Sequence, residues 1–130
     1  MSTVFTNGCF DILHRGHIEL LKHCAKIGKT VVVGINSDKS VSRLKGEKRP
    51  INNQDDRKLL LESLVFVDRV VIFDEDTPLR LINELKPDII VKGGDYKAEE
   101  VVGNTVCKVV IFDYVKGYST TETIQNISHR

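Results

Sequence analysis

Two histidines three positions apart are the residues of this sequence best suited to bind a ligand or take part in a reaction. His14 and His17 enclose Gly16 in a segment that follows a short apolar run and precedes a helical pattern. Imidazole rings beside Arg15, at the unpaired N–H groups of a helix N-terminus, suit a phosphate anion. Gly8 and Gly16 let the backbone turn sharply or approach a ligand closely. The segment therefore predicts a phosphate-binding site built around the two histidines.

Three other interpretations of this segment stay open. One histidine could cap or pack while the other is solvated, which would be a purely structural role. With Asp11 or Cys9 the pair could ligate zinc, although the usual helical zinc pair is spaced by four and encloses a glutamate that is missing here. Cys9 near a helix N-terminus could also act as a nucleophilic thiolate.

A second candidate phosphate site lies near the end of the chain. Ser119, with Glu122 three positions later, predicts a capping box that opens a last helix. The hydroxyls of Ser119, Thr120 and Thr121 and the N–H groups of that helix start could also bind a phosphate, because those donors have no partner within the helix.

Two further loops carry charged residues. The polar stretch 37–50 is interpreted as a loop, whose cations either clamp phosphates or form ordinary solvated surface; these cations are Lys39, Arg43, Lys45, Lys48 and Arg49. The stretch 92–96 contains Gly93 and Gly94, which predict a sharp turn. Asp95 there could hold a metal ion or a ribose hydroxyl.

The elements that must position these residues alternate along the chain. Short β-branched runs predict strands at 4–6, 31–35, 70–73, 89–91 and 109–112. Helical periodicity with start and stop signals predicts helices between them: one ending at Gly28, one capped by Asn53 that buries Leu60, Leu61 and Leu64, one starting at Thr77-Pro78, and a last one with Ile124 and Ile127 as its apolar stripe. The pattern predicts a single α/β domain of the Rossmann-like, doubly wound type over residues 1–130. In such a sheet of five parallel strands, ligands bind beyond the carboxyl ends of the strands.

Composition excludes several function classes. The chain has 130 residues and a formal net charge of +1, so no strongly basic face is available for bulk nucleic-acid binding. No apolar run reaches the roughly 20 residues of a membrane span. No secretory signal is visible, and three cysteines at wide spacing are typical of reduced thiols, so we expect a cytoplasmic protein. The Gly-x4-Gly-Lys-Ser/Thr and Gly-x-Gly-x-x-Gly patterns are absent.

These motifs together resemble a nucleotidyltransferase superfamily that is marked by His-x-Gly-His and a C-terminal Ser-Thr-Thr/Ser motif. The chain is most similar to its D-glycero-β-D-manno-heptose 1-phosphate adenylyltransferase branch, through stretches that span nearly the whole sequence. These stretches are 6–14, 36–38, 43–46, 49–52, 73–78 and 91–96. The resemblance implies a homodimer and Mg²⁺ as cofactor. Members of this branch often carry a kinase half, and none is visible in this sequence, so we expect a stand-alone transferase domain.

The resemblance also implies a reaction. AMP passes from ATP to the sugar 1-phosphate, which gives ADP-heptose and pyrophosphate. The alternative is a CTP-dependent cytidylyltransferase that acts on glycerol 3-phosphate or a related polyol phosphate, and a non-catalytic nucleotide-binding module is a third possibility. The acceptor phosphate is already ionised, so this chemistry needs positioning and charge stabilisation rather than a nucleophilic side chain. On that basis Cys9 is interpreted as a small apolar residue.

Roles then follow for the matching positions. The resemblance implies that His14, His17 and Lys45 are catalytic, and that Asp11, Asp38, Lys45 and Arg57 bind the acceptor, with Asp11 also a candidate Mg²⁺ ligand. The remaining nucleotide ligands are Gly8, Cys9, Phe10, Gly16, Lys92, Gly94, Asp95, Ser119, Thr120 and Thr121. Two features depart from the family pattern: Lys116 stands where an acidic residue is usual, and the segment 102–109 is shorter.

Overall fold

The computed structural model describes residues 2–94, 97–112, 124 and 127. Within these residues, five parallel strands form one sheet in the order β3-β2-β1-β4-β5. The strands are β1 (Thr3–Gly8), β2 (Thr30–Asn36), β3 (Arg69–Phe73), β4 (Ile89–Gly93) and β5 (Lys108–Phe112). The helices are α1 (Arg15–Ile27), α2 (Asp38–Lys45), α3 (Gln54–Glu62) and α4 (Leu79–Leu85), with a short 3₁₀ helix at Ala98–Glu100. The predicted doubly wound α/β fold is confirmed.

Each face of the sheet is covered by its own apolar cluster. One cluster packs α1 and α3 on the sheet through Leu21, Cys24 and Leu61. The other packs α4 on the opposite face through Leu81 and Ile82. The chain adds β2 and β3 on one side of β1, then crosses back to place β4 on the other side. The strand order therefore reverses between β1 and β4, and the ligand crevice of such a sheet lies there.

Three local predictions need correction. The stretch interpreted as a loop contains α2, which Ser37 caps by accepting a hydrogen bond from the N–H of Ser40. Pro78, rather than Thr77, occupies the cap position of α4, and it makes no side-chain cap bond. Leu60 is 47% exposed, because α3 buries Leu61 and Arg57 instead.

The end of the chain is described only in part. The predicted capping box at Ser119 and Glu122 lies outside the described residues, and so does Lys116. Ile124 and Ile127 are both helical, but Ile127 is largely exposed in this chain rather than buried as part of an apolar stripe.

Gly34 in β2 allows a close contact between the sheet and α4. A Cβ atom at this position would lie 2.8 Å from the ring of Phe5 and 3.2 Å from Leu81. We expect Gly34→Ala to lower the free energy of unfolding by about 1–3 kcal/mol, because the core has no room for the methyl group. Denaturant unfolding measures this loss. Gly93→Ala is the control, since its Cβ would be 3.8 Å from Leu20; an equal loss in both variants would contradict the packing argument.

Candidate functional site

A cleft opens beyond the carboxyl ends of β1 and β4, where the strand order reverses. Asn7 follows Phe5 and Lys92 follows Ile90 by two residues, so both side chains point to the α4 face of the sheet. The cleft has a volume of about 210 Å³. Its lining consists of Asn7, Asp76, Thr77, Pro78, Lys92, Glu100, Val101 and Val102. Polar and charged side chains thus share the cleft with Pro78, Val101 and Val102, and Lys92 lies there at the end of a central strand.

The two histidines form a reciprocal cap at the start of α1. The Nδ1 atom of His14 accepts a hydrogen bond from the N–H of Gly16 at 3.1 Å. The Nδ1 atom of His17 accepts one from the N–H of His14 at 3.3 Å. The rings stack with their centroids 3.8 Å apart. Because Nδ1 is an acceptor in both rings, these hydrogen bonds assign the proton of each neutral imidazole to Nε2. The pair therefore supplies two N–H donors at a helix N-terminus.

His17 is neutral at physiological pH. Burial, and secondly the neighbouring His14, lower the pKa of His17 to about 4. The ring also packs against Phe10, with centroids 4.9 Å apart. A buried neutral imidazole with a fixed tautomer acts on a phosphate as an oriented hydrogen-bond donor rather than as a cation.

This lowered pKa predicts a pH dependence of stability. The unfolded chain protonates His17 near pH 6.5, whereas the folded chain does so only near 4. The contribution of neutral His17 to the free energy of unfolding is therefore fully present above pH 6.5. It is lost as the pH falls toward 4, at up to about 1.4 kcal/mol per pH unit. Unfolding free energies of the wild type and His17→Gln between pH 7 and 4.5 measure this. A wild-type curve parallel to that of the variant would contradict the assignment.

The charges of two lysines, Lys45 and Lys92, influence each other at the site. Burial lowers the pKa of Lys92, the neighbouring Cys9 partly offsets that effect, and the charge of Lys45 lowers the pKa further. Lys45 is the last residue of α2, and its charge also acts on the thiol of Cys9. Two ammonium groups that lie close together favour an anion between them. This arrangement agrees with the phosphate-binding role of both lysines, which stays a prediction.

Cys9 is poorly suited to nucleophilic chemistry. Burial raises the pKa of its thiol, and the charges of Lys45, Arg57 and Arg49 only partly offset that effect. Its Sγ lies 3.8 Å from Oδ1 of Asn36 as a weak donor. The protonated thiol agrees with the interpretation of Cys9 as a small side chain in the loop.

The structure gives Asp11 a different environment from the predicted one. Its carboxylate is buried, and each oxygen accepts two hydrogen bonds. The donors are the Nε of Arg49, at 2.9 Å, and the N–H groups of Ile51 and Asn52. Burial alone would raise the pKa of Asp11, but these hydrogen bonds outweigh burial and lower it. With every acceptor position occupied, the geometry supports a structural role for Asp11 rather than metal or acceptor binding.

Arg57 is likewise bound to protein groups. Its guanidinium is fully buried and pairs with Asp38 at 2.8 Å. Its other hydrogen bonds go to three backbone carbonyl groups, those of Cys9, Asn36 and Asn52. The predicted contact between Arg57 and the acceptor is therefore not supported, since no part of the side chain is accessible. Asp38 remains partly exposed beside it.

Some of the other predicted ligands lie within the residues that the structure describes, and some lie outside them. Gly8 closely approaches the ring of Phe10, and the N–H of Gly16 caps His14. Gly94 has a φ of +106° and donates to Phe112 across the sheet edge. Asp95, Ser119, Thr120 and Thr121 lie outside the described residues.

Several cleft residues were missed by the sequence analysis. Asn7, Asp76 and Glu100 line the cleft, but none of the three was predicted as a ligand. The one available signal was position, because 74–77 follows the carboxyl end of a strand. Asp76 pairs with Arg43 of α2 at 3.0 Å, which ties the cleft wall to the helix that carries Lys45.

Metal-binding and membrane-spanning features are limited in the described part of the chain. There, no group of three His, Cys, Asp or Glu residues is placed to hold a metal ion. No helix within the same residues is long and apolar enough to cross a bilayer.

Known proteins similar to this chain share both its sequence and its fold. The bifunctional protein HldE of Campylobacter concisus (strain 13826) is 61% identical over 125 residues, which are 95% of this chain and 26% of that protein. HldE of Campylobacter jejuni (strain RM1221) is 54% identical over 98% of this chain and 28% of its own length. The chain thus spans about a quarter of the length of the curated relatives it matches.

Solved structures agree with the sequence comparison. A lipopolysaccharide core biosynthesis protein from Thermoplasma volcanium superposes with a TM-score of 0.74 at 34% identity, over 92% of this chain and 99% of that one. Pantothenate synthetase from Thermus thermophilus superposes with a TM-score of 0.61 at 20% identity, over 97% and 64% of the two chains, which shows a shared fold alone. Residues 5–128 match the model of the cytidylyltransferase-like family. With its paired histidines at the strand-order reversal, the chain belongs to the cytidylyltransferase-like family.

Proposed function

We propose that this domain is a nucleotidyltransferase that transfers AMP from ATP to a sugar 1-phosphate, with D-glycero-β-D-manno-heptose 1-phosphate as the acceptor. One observation carries the proposal: His14 and His17 stack at the N-terminus of α1, and the Nδ1 atom of each ring accepts a hydrogen bond from a backbone N–H group. The names of the relatives support the substrate class, because they include HldE proteins and a lipopolysaccharide core biosynthesis protein.

In the proposed reaction, an oxygen of the acceptor phosphate attacks the α-phosphorus of ATP. The bond between that phosphorus and the bridging oxygen to the β-phosphate breaks, and pyrophosphate leaves with the electron pair. Charge accumulates on the α-phosphate oxygens and on the leaving group. The Nε2–H groups of His14 and His17, together with the helix N-terminus, donate to this charge. Lys45 and Lys92 reduce the repulsion between the two anionic substrates.

The cleft at the end of β1 and β4 is the proposed acceptor site. Its volume of about 210 Å³ accommodates a compact polar molecule. Asn7, Thr77 and Glu100 carry the amide, hydroxyl and carboxylate groups that pair with sugar hydroxyls. Lys92 lies at the end of the same cleft, where a sugar phosphate would meet the nucleotide.

We propose that Mg²⁺ arrives with the triphosphate. The described residues offer no group of ligands for a resident ion, and Asp11 is fully hydrogen-bonded. Magnesium commonly binds through substrate phosphates and water, with few protein ligands. A homodimer and a cytoplasmic location also belong to this proposal.

A pyrophosphate-release assay tests the proposed function. ATP and CTP are each combined with heptose 1-phosphate and with glycerol 3-phosphate in the presence of Mg²⁺. We expect turnover with ATP and the heptose, and none when either substrate is omitted. Turnover confined to CTP and glycerol 3-phosphate would replace the proposed substrates with the cytidylyltransferase alternative. Nucleotide binding without turnover in any combination would favour a non-catalytic module.

A further inference from the structure

The backbone at Phe10 has an unusual conformation next to the histidines. Its φ is +49°, in the left-handed region that large residues rarely adopt. The side chain is buried, and its ring packs 4.9 Å from the ring of His17. A conformation of this kind persists only where neighbouring contacts impose it. Phe10 therefore needs anchors on both sides, and the structure supplies them at Cys9 and Asp11.

The anchor before Phe10 is Arg57. Its Nη1 atom donates to the carbonyl of Cys9 at 2.9 Å. The same atom donates at 2.7 Å to the carbonyl of Asn36, which ends β2. The Nε atom donates to the carbonyl of Asn52 at 3.0 Å. A planar guanidinium fixes the relative positions of these groups in a way that a lysine cannot. Arg57 thus ties the loop after β1 to β2 and to α3.

The anchor after Phe10 is Asp11. Its carboxylate binds Arg49, Ile51 and Asn52, as described above. The side-chain amide of Asn52 returns a hydrogen bond to the carbonyl of Asp11 at 2.7 Å. Backbone and side chain of Asp11 are therefore both held by the 49–52 segment, which is distant from Asp11 in sequence.

We infer that Arg57 and Asp11 are positioning residues, which impose the left-handed conformation of Phe10 and thereby hold the His17 ring in its stacked position against His14. The inference deepens the proposed function and rests on it. Neither residue touches substrate in this arrangement, because both side chains are buried among protein groups. Their removal would alter the reaction through the position of the His17 ring.

An NMR titration of His17 tests this inference without any activity. In the wild type we expect the ring to titrate near pH 4, because it is buried. The two test variants are Arg57→Lys and Asn52→Ala, of which the second removes one hydrogen bond to Asp11 without burying a charge. In both we expect the midpoint of the His17 titration to rise by at least about one pH unit, because the ring becomes more exposed to solvent. Ile82→Val is the control, since it weakens the other apolar cluster, to which Phe10 does not belong, and should leave the midpoint unchanged.

A kinetic cycle is the second measurement. Introduced into the wild-type protein, Arg57→Lys is expected to lower kcat by at least about tenfold. Introduced into His17→Ala, it is expected to lower kcat by less than about twofold, because displacement of the ring has no effect once the ring is absent. Unchanged titration of His17 in folded Arg57→Lys and Asn52→Ala, or equal losses of kcat in both backgrounds, would overturn the inference. If the domain lacks transferase activity, the titration still decides the positioning role, so the two proposals fail separately.

Discussion

Replacing His17 with glutamine or alanine is expected to lower kcat by roughly 10²- to 10³-fold, which is the usual loss when one donor to a developing charge is removed. The two variants separate the role of His17 in capping the helix from its role as an imidazole donor. Glutamine at this position can still accept the backbone bond from His14, as in an ordinary capping box, but it lacks the imidazole Nε2–H. Alanine loses both, so its unfolding free energy should also fall by about 1 kcal/mol.

Steady-state kinetics with saturating substrates and a parallel unfolding curve measure both effects. His23→Ala is the matched control, because His23 lies on the same helix but packs against Phe112 of β5, away from the helix start. Turnover of His17→Gln within about threefold of the wild type would show that the imidazole donor is dispensable, and the proposed role of the pair would be wrong.

Removing the Asp11 carboxylate has the largest expected effect on stability. Asp11→Ala leaves two backbone N–H groups and the partly buried Arg49 without their acceptor. Breaking a buried, hydrogen-bonded ion pair from one side typically costs about 3–5 kcal/mol. We expect a loss near the lower end of that range, because Arg49 keeps some access to water.

The pH dependence of this loss identifies its cause. Hydrogen bonds lower the pKa of Asp11 below its ordinary value of 3.8, so its contribution is present above pH 3.8 and disappears as the pH falls through the lowered pKa. The stability difference between wild type and Asp11→Ala, measured by denaturant unfolding, should therefore shrink in acid. Asp76→Ala breaks an exposed pair with Arg43 and should cost less than about 1 kcal/mol. A loss at Asp11 no greater than that at Asp76 would contradict the buried-anchor assignment.

The fold was largely predictable because a central strand such as β2 is buried on both faces. Uninterrupted β-branched runs such as 31–35 are typical of such strands, and the start and stop signals of α1 and α3 are local. Helix α2 was missed because it contributes little to the core: Val41 is its one fully buried large apolar side chain, while Leu44 is half exposed. Two apolar residues, Val41 and Leu44, form a helical pattern too short to be distinguished from a loop.

The site was predictable only where its members are neighbours in sequence. His14 and His17 are one helical turn apart, so their spacing alone indicated a shared position. Asp11 and Arg57 were interpreted as ligands because the family resemblance implies that role. Their actual partners are mostly backbone groups of distant segments, and a sequence pattern carries no signal for such bonds.

An oxygen-18 experiment tests the central claim, that an acceptor phosphate oxygen attacks the α-phosphorus of ATP. Heptose 1-phosphate labelled with ¹⁸O at its three non-bridging oxygens is converted with unlabelled ATP, and the products are analysed by ³¹P NMR. The proposed reaction predicts ¹⁸O in the new bridge, so that both phosphorus atoms of the nucleotide sugar show an isotope shift, and unlabelled pyrophosphate. Label in the pyrophosphate, or an α-phosphorus without an isotope shift, would contradict the claim.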